Sequence, residues 1–66
     1  MISYQPLWDE LNRRGMARQE LKAQGVVNNS TLYRLINDEP VSMTVLMQIC
    51  DALDVPIERI VVFNKL

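Results

Sequence analysis

Apolar positions along this chain recur mostly at helical spacing. Leu7 and Leu11 lie four apart with Trp8 beside them, which predicts a first helix from about Gln5 to Arg14. Pro6 suits its first turn, where a missing N–H costs nothing, and Gly15 stands just past its end. Leu21 is the inward position of a short second helix, about residues 17–24, or Arg18 to Gln24 at its narrowest. Asn28 is placed to cap a third helix from Asn29 to about Ile36, because its side-chain oxygen accepts an orphan N–H of the first turn. Leu32, Leu35 and Ile36 form the core stripe of that helix. Ser42 caps a fourth, in which Val45, Leu46, Ile49, Cys50 and Leu53 keep the strongest helical period of the chain. Asp54 and Pro56 open a short fifth helix that ends near Ile60. The tail Ile60-Val61-Val62-Phe63 is rich in β-formers, and the head Met1-Ile2-Ser3-Tyr4 is its candidate partner. Two strands alone are marginal in water, so such a ribbon needs support from the core or from a second chain. The expected fold is all-α: one compact five-helix domain over residues 1–66, with a short β-ribbon from the two termini.

Length and composition narrow the function. Sixty-six residues bury only about 60% of their unfolded surface, so the core is efficient or shared with a second subunit. Hydrophobic residues make up 48% and charged residues 23%, an ordinary soluble composition. No apolar run nears the ~20 residues of a membrane span, and the start of the chain lacks the layout of a signal peptide. The single cysteine, Cys50, forms no internal disulfide, which fits a reducing cytoplasm. There is no histidine, no phosphate-cradling glycine motif and no Cys/His metal set, so neither an enzyme nor a cofactor or small-molecule ligand is indicated. Asp9-Glu10 and Asp38-Glu39 read as solvated acids, Cys50 as a core thiol, Trp8 as a core or interface plug, and the four methionines as gap fillers.

Charge changes the picture because it is segregated. Net charge is −1, with a pI near 5.1. Residues 13–34 nevertheless carry a net +4, from Arg13, Arg14, Arg18, Lys22 and Arg34 against Glu20, and the remainder carries −5. The positive run coincides with two short helices joined at a glycine, the outline of a helix-turn-helix whose second helix can enter the DNA major groove. A solvated helix face is the alternative for the charge alone.

Several motifs strengthen that outline: Ile-Ser-Tyr-x-Pro-Leu-Trp over Ile2 to Trp8, Gly15-Met16, Thr31-Leu32, Val41-Ser42, and Leu-x-x-Ile-Cys-x-Ala-Leu from Leu46 to Leu53. Together they resemble the small stand-alone branch of the Cro/CI-repressor-type helix-turn-helix family (the lambda-repressor-like or XRE family) over about residues 5–61. The resemblance implies a bacterial or phage transcriptional regulator, often a homodimer, that binds double-stranded DNA in the cytoplasm. Three positions depart from the family pattern. Ala17 stands where a Thr or Ser cap is usual, Lys22 where a small residue is expected, and the turn glycine is Gly25 instead of residue 26. Val26 is β-branched and strained at positive φ, so the turn is expected to be rebuilt around Gly25.

A 100° step along the third helix points Ser30, Tyr33, Arg34 and Asn37 away from the core stripe, with Asn29 exposed at the start. Asn pairs with both polar edges of adenine and Arg forks onto guanine, so the types suit groove reading. The resemblance places Asn29, Ser30, Tyr33 and Arg34 at base-reading positions, Asn37 at a phosphate contact and Arg18 at a backbone clamp. Arg13, Arg14 and Lys22 are phosphate neighbours or only solubilising charges. The other readings are first-turn residues without a ligand for Asn29 and Ser30, packing on the second helix for Tyr33, and a surface charge or partner of Glu39 for Arg34. Ile60, Val61, Val62 and Phe63 are the expected dimer seam, with Met1 to Tyr4 as a possible supplement. The rival function is a protein-interaction module, an adaptor or antitoxin-like partner that keeps the fold without binding DNA.

Overall fold

The computed structural model describes residues 1–64. The chain runs β1 (Ile2–Ser3), α1 (Gln5–Arg13), α2 (Gln19–Ala23), α3 (Asn29–Ile36), α4 (Met43–Leu53), one 3-10 turn (Ile57–Arg59) and β2 (Val62–Phe63). The mostly helical architecture with a terminal ribbon is the expected one, with four α-helices instead of five. Between the extended Pro56 and the buried Ile60 only three residues remain, enough for a single 3-10 turn. Asp54 does not open a helix. It lies at φ 55°, ψ 51° in the left-handed region and closes α4.

Helix ends share one device, in which a residue of positive φ turns the backbone and two N–H groups reach back to orphan carbonyls. After α1, Gly15 (φ 68°) donates to Asn12 O (3.1 Å) and Met16 to Leu11 O (2.9 Å). After α3, Asp38 (φ 55°) donates to Leu35 O (3.3 Å) and Glu39 to Arg34 O (2.8 Å). At α4, Val55 reaches across Asp54 to Cys50 O (3.1 Å). At the opposite ends, Asn28 Oδ1 accepts from Thr31 N (2.8 Å) and Ser42 Oγ from Val45 N (3.2 Å), both as expected.

The core gathers Leu7, Trp8 and Leu11 of α1, Leu21 of α2, Leu32 and Leu35 of α3, and Leu46, Ile49 and Leu53 of α4, with Tyr4, Val27 and Ile60. Ile36 leaves the predicted stripe and is exposed, because Leu35 takes the inward place and α3 ends one residue later. Glu10 also departs from expectation. It is buried beside Leu7 and Leu11 on the inner side of α1 instead of solvated.

β1 and β2 pair antiparallel, Ile2 with Phe63 and Ser3 with Val62. The ladder continues outward, since the Met1 ammonium donates to Asn64 O (2.5 Å) and Asn64 N–H donates to Met1 O (2.7 Å). Support for this ribbon comes from the chain itself. Tyr4, wholly buried, donates from its N–H to Asp38 Oδ1 (3.0 Å) and from its hydroxyl to Glu39 O (2.7 Å). The strand pair is thereby pinned to the end of α3. A shallow groove of about 530 Å³ lies along this junction, lined by Met1, Ile2, Asn37, Asp38, Pro40 and Phe63.

Candidate nucleic-acid interface

The α2–α3 junction is built around Gly25 at φ 76°. Its N–H donates to Lys22 O (3.0 Å) and that of Val26 to Leu21 O (2.9 Å), which keeps β-branched Val26 at negative φ. Val27 then drops into the core and Asn28 extends to cap α3. The rebuilt turn is thus one residue earlier than the family pattern and satisfies its backbone groups. α2 packs against α3 and occupies five residues, Gln19–Ala23, shorter than the expected 17–24. Ala17 supplies no side-chain cap, while Glu20 Oε1 still accepts from Ala17 N (3.0 Å).

On α3, Asn29, Ser30, Tyr33, Arg34 and Asn37 all face solvent. Tyr33 is 64% exposed, so its ring is not buried against α2. Arg34 has no carboxylate within salt-bridge distance among the described residues, and its link to Glu39 is a backbone hydrogen bond only. Asn37 is partly committed, since its amide donates to Tyr33 O (2.8 Å) at the helix end. Lys22 is exposed, which explains how a long side chain is accommodated there.

The remaining cations divide into two groups. Arg18 lies over the Trp8 ring, its guanidinium carbon 4.4 Å from the centroid. Arg13 and Arg14 belong instead to a cluster around Glu10. Arg14 bonds Glu10 Oε2 (2.9 Å) and also Leu53 O (2.5 Å), Arg13 bonds Oε1, and Arg59 approaches Oε1 at 3.4 Å. The hydrogen bond from Arg14 holds the Glu10 carboxyl below its ordinary pKa, followed by burial acting the other way and then the charge of Arg13. Arg14 is therefore tied to the C-terminal end of α4 as well as to Glu10. Glu10 was legible in part, because glutamate three and four residues before arginine is an ion-pair spacing. Arg59, 49 residues away, carried no such signal.

The expected seam segment divides as well. Ile60 is completely buried in the chain's own core and offers no surface, and Val61 is half-buried. Val62 and Phe63 are exposed, Phe63 at 71% and close to Met1 at 69%. Cys50 is half-buried, with burial and then the charges of Asp51 and Glu58 pushing its thiol pKa up, the condition of an unreactive thiol. Among the described residues no group of three or more His, Cys, Asp or Glu is arranged to hold a metal, and no helix is long and apolar enough to cross a membrane.

Comparison with known proteins agrees with this geometry. The family model described as the Cro/C1-type HTH DNA-binding domain matches residues 6–65. The crystal structure of the transcriptional regulator VanUg is similar at a TM-score of 0.87 and 38% sequence identity, over 92% of this chain and 81% of that one. No curated protein matches the chain.

Proposed function

The chain belongs to the Cro/C1-type helix-turn-helix DNA-binding family, and on that premise we propose that it is a sequence-specific transcriptional regulator whose α3 reads the major groove. One observation carries this reading: Tyr33 and Arg34 stand side by side on the outer face of α3, exposed, with no carboxylate within salt-bridge distance of Arg34 among the described residues. A guanidinium left unpaired on a groove-sized helix is available to fork onto guanine O6 and N7. Asn29 and Ser30 sit one turn earlier, where the N-terminal part of a recognition helix approaches base edges. Arg18 and Lys22 serve the phosphate backbone, with Asn37 at the far end of α3. Arg13 and Arg14, held by Glu10, contribute positive potential more than direct contact.

One small domain makes few contacts, so the working unit is a homodimer on half-sites about 34–36 Å apart. The seam that fits is the exposed part of the ribbon, Val62 and Phe63 with Met1. Selection from a random duplex pool tests the proposal, run on wild type and on the Tyr33→Ala/Arg34→Ala variant. Convergence of the wild type on a two-fold symmetric site, lost in the variant, is the expected result. Binding without sequence preference removes base reading and leaves a phosphate-holding domain. Failure of both proteins to bind at low salt, where electrostatic attraction is strongest, overturns the reading in favour of a protein-interaction module.

A further inference from the structure

Arg18 is the one cation of the basic run that rests on an aromatic face among the described residues. Trp8 is only 5% exposed and belongs to the core, yet its ring carries the Arg18 guanidinium over it at 4.4 Å from the centroid. The stack joins α1 to the residue that precedes α2, across the loop containing Gly15. We infer that Trp8 is a positioning residue for DNA binding, whose ring holds Arg18 as the phosphate clamp of the domain; this rests on the DNA-binding reading above.

The attraction between a cation and an aromatic ring acts through the face of the ring and is electrostatic, so holding Arg18 over Trp8 requires no acceptor for any of its five N–H donors. An arginine held in this way, and not by a carboxylate, has donors to offer phosphate oxygens. An unrestrained arginine is ordered only on binding, and that loss of freedom weakens the complex. Here the side chain is ordered when the domain folds. Arg13 and Arg14 reach the same state differently, with donors turned onto the Glu10 carboxylate, so contact with an aromatic ring and no acidic partner among the described residues distinguishes Arg18. Trp8 is supported from below by the core on which α1 packs, which makes it a firm platform.

A double-mutant cycle on duplex affinity tests the inference, using wild type, Trp8→Leu, Arg18→Ala and the double variant. The probe is a random-sequence duplex, titrated between about 50 and 200 mM salt. Trp8→Leu is expected to weaken binding about as much as Arg18→Ala, roughly 5- to 10-fold, and to add little in the Arg18→Ala background. Both single variants should lower the salt slope by about one phosphate contact. Losses that simply multiply, or a salt slope left intact by Trp8→Leu, would make Trp8 a core residue only and overturn the inference. Should Trp8→Leu fail to fold, two further measurements decide. Trp8→Phe keeps an aromatic face and should retain most of the affinity, whereas Arg18→Lys keeps the charge without the guanidinium and its fork of donors and should lose several-fold. Duplex binding should also shift Trp8 emission in the wild type and not in Arg18→Ala; an unshifted emission on binding overturns the inference. A wild type that binds no duplex at low salt overturns the DNA-binding reading itself, an outcome distinct from an additive cycle in a protein that binds.

Discussion

Asp38 and Asp54 hold the same left-handed φ of 55°, and they differ in what their side chains touch. Asp38 Oδ1 accepts the N–H of Tyr4, whereas the Asp54 carboxylate has no hydrogen-bond partner among the described residues. A non-glycine residue in this region costs roughly 1 kcal/mol or more, which glycine relieves. Asp54→Gly should therefore leave stability unchanged or raise it by up to about 1 kcal/mol. Asp38→Gly relieves the same strain but strips an acceptor from a part-buried N–H, so a net loss of about 1 kcal/mol is expected. Urea midpoints of the two variants, compared side by side, check the contrast. Glu10 ties stability to acid. Its folded pKa lies below the ordinary value of 4.5, so its stabilisation is complete above that value and is lost as pH falls through the folded pKa. The urea midpoint of the wild type should fall on acidification below about pH 4.5, and Glu10→Gln should show a flatter profile there with a lower midpoint at neutral pH. A wild-type profile matching that of the variant would remove the cluster from the acid response.

At the scale of elements, α3 and α4 are legible because their signals are local: an apolar period together with Asn28 and Ser42 as caps. Cap geometry depends on four consecutive residues and transfers directly from sequence to structure. The end of α3 at Ile36 is the expected one, whereas the close of α4 was less legible, because glycine is the usual mark of a left-handed terminus and Asp54 occupies that place. α2 is the weakest helix, burying only Leu21. Glu20 already reaches back to the Ala17 N–H, one half of a reciprocal cap, and its own N–H donates to Ala17 O (3.0 Å), a bond that a hydroxyl at residue 17 would share. Ala17→Thr should stabilise the domain by no more than about 0.5 kcal/mol, the low end for a cap, read as a slightly higher thermal midpoint. Because α2 packs against α3, the same change should reduce amide exchange in α2 first and leave α4 untouched. The outward face of α3 was readable from helical rotation alone. The Trp8–Arg18 stack and the Arg59–Glu10 approach were not, since each joins elements whose relative placement only the folded chain determines.

For the whole molecule, the segregation of charge survives folding in altered form. Arg13 and Arg14 stay exposed but pair with Glu10, leaving Arg18, Lys22 and Arg34 as the positive set around α2 and α3 without a carboxylate partner among the described residues. A positive face on a chain of net −1 gives binding that is sensitive to salt and oriented by the field of the protein. The proposed seam is testable at this scale. Phe63→Glu places a charge at the most exposed apolar side chain of the ribbon and should convert a dimer to a monomer in sedimentation near 100 μM, about the level at which a standard interface is populated. A wild type that sediments as a monomer there would remove the seam. The ribbon has one further consequence, in time instead of space. Its outermost hydrogen bonds join residues 63 positions apart, and closing a loop of that length costs about 4 kcal/mol of chain entropy. The two ends of the chain are thus the last part to close during folding and the first to open afterwards. A partner pairing at the proposed seam would hold that clasp shut, so the lifetime of the closed ends would lengthen as the protein becomes more abundant.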